Sequence, residues 1–568
     1  MSLLIKNARV WQWDAVSPTN ITGSFIPKTV EIVDGIVTRV DPASATVTAA
    51  NPLSKIIDGT GKIVTPGLID SHIHVGMTGE TKYFVDLSSC TSIEEFKLAL
   101  SGHLVKHPDL SVVQGVGWDQ EKLGRFPTAL DLDEVCSEKP VWLWRACWHI
   151  GVGNTIAMIA CKASTWSGEG GVVEMTPPPN PTPTGVLKER ACEIINPVLG
   201  SKSESEKRSL VLDGLKMCSS MGLTAVATNE MNECVPVYRA LHSDDLLPTR
   251  VFLTPMAEEL EKNEDLAPFA TDDRILKVDR VKIFGDGSLG AGTAAIAPDD
   301  DGSEKKNKDG LLIFSDKEME RKIALAKERG FRLEIHAIGD MAAEQVLNAL
   351  EKCEINKESR PVLTHCQVLR RDLIDKMIAL NTIANIQPSF VPTDMAWVQK
   401  RLSSSKQEYS YIWKTLLKEG VFAAGGSDSP VETPSPLVGM YDAMFRRSRT
   451  NDDDVFKPEE KLTFAEALWL YTIGGAYASM EPTLGDIAVG KAGDLVILDG
   501  KLEDDWTLLK TATVDGVVVA GQVKVDNFDR NRINSPKITT LEGPFIPGKG
   551  GGFFCACVLR GKQCFLPR

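Results

Sequence analysis

Histidine is scarce in this chain, with 8 residues among 568, and other features are missing altogether. No run of about 18 apolar residues is present, the length a membrane-crossing helix needs, so no membrane span is expected. The opening stretch MSLLIKNARVWQWD lacks the basic-then-apolar layout of a secretory leader. Lys and Arg number 63 against 77 Asp and Glu, for a net charge of −14 and a pI near 5.3. Without a basic face, nucleic acid and anionic membrane surfaces are excluded as expected partners. The 12 cysteines follow no disulfide framework, so free thiols in a reducing cytoplasm are expected. Their one cluster, FFCACVLRGKQC (Cys555, Cys557, Cys564), has neither a CxxC pair nor a partnering histidine, which argues against metal binding there.

What is present is ordinary soluble-protein composition, 43% hydrophobic and 25% charged, in a chain too long for one small domain. The first 62 residues alternate apolar and polar positions between Gly and Asp-Gly turns, the texture of short antiparallel strands. The same texture returns at residues 486–526. Residues 1–62 and 480–526 are therefore expected to complete one β-sandwich, with residues 63–479 inserted between them. The extension 527–568 is rich in Pro and Gly and is expected to be loosely ordered.

Eight short apolar runs in the middle of the chain read as fully buried strands. They are KIVTPGLIDSHIHV (62–75), GLTAVATNE (222–230), TRVFLTP (249–255), RVKIFGDG (280–287), FRLEIHAIG (331–339), PVLTHCQ (361–367), TIANIQPSF (382–390) and VFAAGGSDS (421–429). Helical patterns separate them, so the expected class is α/β, a (β/α)8 barrel. The long stretch between the first two runs is assigned to an inserted subdomain at about 85–220. Its Pro-rich piece TPPPNPTPTG (176–185) reads as a loop.

The scarce histidines gather at the C-terminal ends of these runs, where barrels build their sites. The first run ends in His72 and His74, which share a face because side chains alternate along a strand. Lys282, His336, His365 and Asp428 stand at four further run ends. Four imidazoles and a carboxylate suit zinc and, less selectively, manganese, iron or cobalt. A lysine ammonium cannot bind a cation. Lys282, set between apolar Val281 and Ile283, is therefore either displaced from the metal or chemically modified.

The chain resembles the amidohydrolase superfamily, and within it the YtcJ-like amidohydrolases. The resemblance rests on PGLIDSHIHV, VKIFGDGSLGAGTAA, RLEIHAIGDMAAEQVLNALE, THCQVL, IQPSFVPTDMAWV, AAGGSDSPVE and GDIAVGKAGDLVILDG, spread over roughly residues 1–526. It implies His72, His74, His336, His365 and Asp428 as metal-site residues. It also implies one or two zinc ions, with a carboxylated Lys282 bridging them in the two-ion case. A homodimer is suggested by the family alone.

The implied reaction is hydrolysis of an amide or related non-peptide C–N bond in a small molecule by metal-activated hydroxide, with Asp428 as general acid/base. Asp428 has a second reading, as a structural cap in the GGSDSP turn. The resemblance also points to Trp118, Asp119, His149 and Asn154 as pocket residues. His149 either polarises the substrate or packs between Trp144 and Trp148. Asp286 and Gln387, beside metal-bearing run ends, touch substrate or support the metal residues. Three departures from family patterns, at Cys147 with Trp148, at Gly292 and at Ser429, reshape the pocket and leave the reaction class standing. The rival readings are a deaminase of a ring amine and a catalytically silent ligand-binding scaffold.

Overall fold

The two ends of the chain share one sheet. In the computed structural model, the strand Leu495–Asp499 pairs antiparallel with Lys62–Pro66, which joins the late strands to the early ones. Eight strands take part, in the order Gln522–Asp526, Val514–Val519, Leu495–Asp499, Lys62–Pro66, Ser2–Ser17, Asn20–Val33 and Ile36–Pro42, with Lys55–Asp58 also pairing with Ser2–Ser17. Leu3 and Ile5 point into the apolar core, and a register shift then lets Ala8 and Val10 take the same face. Asn7 makes that bulge with φ 60°, a left-handed conformation that asparagine tolerates.

The structure describes residues 2–44, 54–146, 148, 150–168, 171–200, 202–290, 292–298, 310–449 and 451–528. Cys147, His149 and residues 529–568 of the extension, with Cys555, Cys557 and Cys564, lie outside the described residues. The described chain forms two compact units, residues 76–214 and the remainder.

Within the larger unit, eight parallel strands coincide with the eight apolar runs. They are β1 (Leu68–Ile73), β2 (Leu223–Glu230), β3 (Arg250–Pro255), β4 (Arg280–Phe284), β5 (Arg332–Ala337), β6 (Val362–His365), β7 (Ile383–Ile386) and β8 (Ala423–Gly425). β1, β2 and β3 pair in sequence order, and so do β4 to β8. Met256, just past β3, forms a parallel bridge with Lys282 of β4.

β8 returns against β1. Ser71 of β1 donates its hydroxyl to the Gly425 carbonyl at 2.6 Å, and Asn385 of β7 donates to the Ser71 carbonyl at 2.7 Å. Gly426 is required there, since a Cβ at that position would meet the His72 nitrogen at 2.8 Å. Burial of nearly every strand residue explains why these strands read as continuous apolar runs.

Helices supply the crossovers that parallel strands need. Asp316–Glu328 opens with a capping box between Ser315 and Glu318. Asp340–Lys352 buries Ala342, Ala343, Val346, Leu347, Ala349 and Leu350, the i, i+3, i+4 and i+7 spacing of one helical face. Among the described residues, no helix is long and apolar enough to cross a membrane.

The unit of residues 76–214 has its own six-stranded sheet, ordered Gly171–Met175, Pro183–Glu189, Ile150–Gly153, Val141–Arg145, Val113–Trp118 and Val85–Asp86. Phe96, Leu100, Trp118 and Leu143 lie in its apolar core.

Candidate metal centre

Period-two alternation brings His72, at the end of β1, and His74 to the same side of the chain. Both Nε2 atoms lie 3.2 Å from Asp428 Oδ1, beyond β8. The donor atoms of His72, His74 and Asp428 all fall within 4.8 Å of one another. His365, at the end of β6, has its ring centroid 5.4 Å from that of His72 and 4.4 Å from that of His336 on β5. The four imidazoles and the carboxylate are all buried.

Each imidazole is tied down by its outer nitrogen. His74 donates from Nδ1 to the Asn229 carbonyl at 3.1 Å, and His336 donates from Nε2 to the Gly287 carbonyl at 3.0 Å. His365 Nδ1 lies 2.8 Å from Gln387 Oε1. His72 Nδ1 lies 2.7 Å from Glu334 Oε1. A carbonyl or amide oxygen only accepts, so the outer nitrogens of His74, His336 and His365 carry the protons, while His72 Nδ1 also has the Asn229 amide nitrogen at 2.6 Å.

Asp428 Oδ1 and His72 Nε2 face each other at 3.2 Å, while the inward atoms His336 Nδ1 and His365 Nε2 are buried and have no hydrogen-bond partner. Each such atom costs about 1–3 kcal/mol if nothing meets it. Both are imidazole lone pairs. Burial, reinforced by His336, holds His365 well below the ordinary imidazole pKa, so it stays neutral, as a ligand must. Burial opposes charge on Asp428, but His72 and His74 hold its carboxyl well below the usual range. This donor set fits zinc and related divalent ions, and the outer hydrogen bonds are those that orient metal-binding histidines.

Lys282 of β4 turns to Glu334, with Nζ 3.3 Å from Oε1. Arg280 lies 3.6 Å from the other carboxylate oxygen, and Asn229 donates to Oε1 at 3.0 Å. Burial opposes charge on Glu334, yet Lys282 and Arg280 keep it well below the usual carboxylate range.

The loops that carry the site are strained. His365 has φ 84°, Cys366 48° and Asp428 55°, each costing about 1–3 kcal/mol for a residue other than glycine. Backbone bonds hold them in place: Asp428 N–H donates to the His72 carbonyl at 2.8 Å, and His74 N–H to the Ser429 carbonyl at 2.9 Å.

The remaining residues singled out by sequence fall in different places. Gln387 supports His365, as described. Asp286 accepts backbone N–H groups from Ala295, Ile338 and Gly339 at 2.8–3.0 Å and lies 3.2 Å from His336 Nε2. It clamps two loops and has little capacity left for substrate. Asp119 caps the short helix Gln120–Leu123 and pairs with Arg145 at 3.0 Å.

Trp118 and Asn154, expected at the substrate, are framework residues of the 76–214 unit. Trp118 has no exposed surface and donates its indole N–H to the Leu143 carbonyl at 2.8 Å. Asn154 accepts from Val141 and Ala157 and donates to the Cys136 and Lys139 carbonyls, so its amide is fully used. His149 lies outside the described residues.

Glu334, Asn229 and Asn385 were missed. Glu334 stands two residues before His336, and that spacing on a strand was the available signal.

A family model described as the amidohydrolase family matches residues 55–525. The chain is 30% identical over 486 residues to YtcJ of Bacillus subtilis (strain 168), covering 83% of this chain and 91% of that protein. It is 27% identical to the N-substituted formamide deformylase of Arthrobacter pascens, covering 79% of this chain and 86% of that one. Among solved structures it is similar to an uncharacterized metal-dependent hydrolase from Pyrococcus furiosus, with TM-score 0.70 and 26% identity over 88% of this chain and 99% of that one.

Proposed function

This chain belongs to the amidohydrolase family, and from that premise we propose that it is a zinc-dependent hydrolase of non-peptide C–N bonds in small molecules. The observation that carries the proposal is the convergence of donor atoms from His72, His74 and Asp428 within 4.8 Å of one another, beside the unpartnered His336 Nδ1 and His365 Nε2. We read the parallel strand circuit as a (β/α)8 barrel, with the two chain ends joined in one eight-stranded sheet beside it in place of the expected two-sheet sandwich. The described cysteines are all free, which supports a cytoplasmic setting.

His72, His74, His336, His365 and Asp428 would hold the metal. Bound there, a divalent ion polarises a carbonyl and lowers the pKa of a water. Asp428, anionic and central to the donor set, takes the water's proton and returns it to the leaving nitrogen. The buried imidazoles exclude bulk water from the proton's path, and their outer hydrogen bonds keep each ring in one orientation. A single ion would leave Lys282 paired with Glu334, whereas two ions would call for a bridging carbamate on it.

The deformylase relative suggests N-substituted formamides as the first substrates to try. Protein purified without chelator should contain one zinc per chain by elemental analysis and release formate and amine from such a formamide. Ammonia without formate or carboxylate would instead identify a deaminase. Two ions per chain with an added carboxylate mass on Lys282 would restore the bridged site. No metal after reconstitution would favour a binding scaffold.

A further inference from the structure

Asn385 and Gln387 stand two residues apart, at and just beyond the end of β7, so both side chains face the same way. Both are buried. We propose that they form an amide relay that fixes which nitrogen of His365 carries the proton, with the Ser71 carbonyl as its fixed reference. The proposal rests on His365 being a metal ligand, as argued above, and adds two positioning residues to that site.

Each step of the relay dictates the next. The Ser71 carbonyl only accepts, so Asn385 must present its NH2 to it, at 2.7 Å. Asn385 Oδ1 then faces away and accepts from Gln387 Nε2 at 2.9 Å. That leaves Gln387 Oε1 toward His365 Nδ1, at 2.8 Å, where it can only accept. The proton of the imidazole is therefore held on Nδ1, and the buried Nε2, which has no hydrogen-bond partner, keeps its lone pair.

The starting point is rigid. Ser71 belongs to β1, immediately before His72, and its hydroxyl is committed to Gly425 of β8 at 2.6 Å. Asn385 is itself held opposite Thr364 in the ladder between β6 and β7. The strand carrying His72 thus sets the tautomer of a histidine on another strand through two neutral amides. A neutral relay suits a site that already contains Asp428, Glu334 and Asp286, because it orients His365 without adding another buried carboxylate.

The test reads the tautomer directly, in the metal-free protein. With histidine labelled in 15N, the imidazole nitrogen shifts of His365, assigned by loss of its signals in His365→Gln, should report a proton on Nδ1. Gln387→Met removes the acceptor, and His365 should then populate both tautomers, while the zinc dissociation constant rises about 10–100-fold. Gln387→Glu retains an oxygen acceptor and should restore the Nδ1–H form. Asn385→Leu should let the Gln387 amide rotate and shift the tautomer part of the way.

A wild-type proton on Nε2 would overturn the relay. So would a tautomer unchanged in Gln387→Met, or an Asn385→Leu variant that loses stability with no change in the His365 signals. Absence of zinc from the wild-type protein would defeat the metal-centre reading while leaving the tautomer result in force.

Discussion

Glu334 Oε1 lies 2.7 Å from His72 Nδ1, so the carboxylate of β5 orients the first histidine of β1. The same oxygen is 3.3 Å from Lys282 Nζ, and one buried anion therefore serves both a metal-site imidazole and a buried cation. Neither duty is visible from local sequence, because the three residues lie on three strands.

Glu334→Gln keeps an oxygen for His72 but removes the charge that balances Lys282 and Arg280. Breaking a buried ion pair from one side costs about 3–5 kcal/mol, and loss of an outer partner weakens metal binding about 10–100-fold. Urea unfolding and zinc competition measure the two effects separately. Wild-type values in both would show that Glu334 is a bystander.

Asp428→Asn tests the proton-transfer role. An asparagine oxygen still faces His72 and His74, so zinc should remain bound at close to one equivalent. It cannot carry a proton between water and leaving group, and turnover should fall about 100- to 10,000-fold. If the variant keeps zinc and near-normal turnover, Asp428 is only a structural cap.

The strands were legible because burial on both sides makes them apolar from end to end, as in VFAAGG and GLTAVAT. The histidines were legible because an HxH pair and isolated histidines stand at the ends of such runs. Residues that work on other residues left weaker traces. Glu334 carries the period-two signature with His336, but a charge inside a strand gives no hint of a partner more than 200 positions away. Trp118 and Asn154 misled in the opposite direction. Their motif positions suggested a pocket, while in the structure one fills a core and the other caps Thr155–Ala160, tasks that sequence spacing cannot distinguish from ligand contact.

Gly426→Ala probes how closely β8 must approach β1. The added methyl would meet His72 at its nitrogen (2.8 Å), Cβ (2.9 Å) and carbonyl oxygen (3.0 Å), and backbone atoms there cannot rotate away. Overpacking of this kind costs about 1–3 kcal/mol. The displacement falls on the segment that leads to Asp428, so zinc content should drop along with stability. Full zinc occupancy with unchanged thermal stability would mean that the two strands separate freely.

Asp131 offers a pH test away from the metal. Burial opposes its charge, but two bonds from Arg125 at 2.7 Å and donation from Thr128 bring its carboxyl down to about 2, from an ordinary 3.8. The folded value lies below the unfolded one, so the stability it contributes is fully present above pH 3.8 and is lost as pH falls toward 2. Arg125 is half exposed, and solvent screening limits the contribution to about 1 kcal/mol. Asp131→Asn should therefore be less stable than wild type by that amount near pH 6, with the gap narrowing as both are titrated toward acid. Other carboxylates are common to the two proteins and cancel in the difference. A gap that stays constant from pH 6 to the onset of acid unfolding would show that the Arg125 pair contributes packing and not charge.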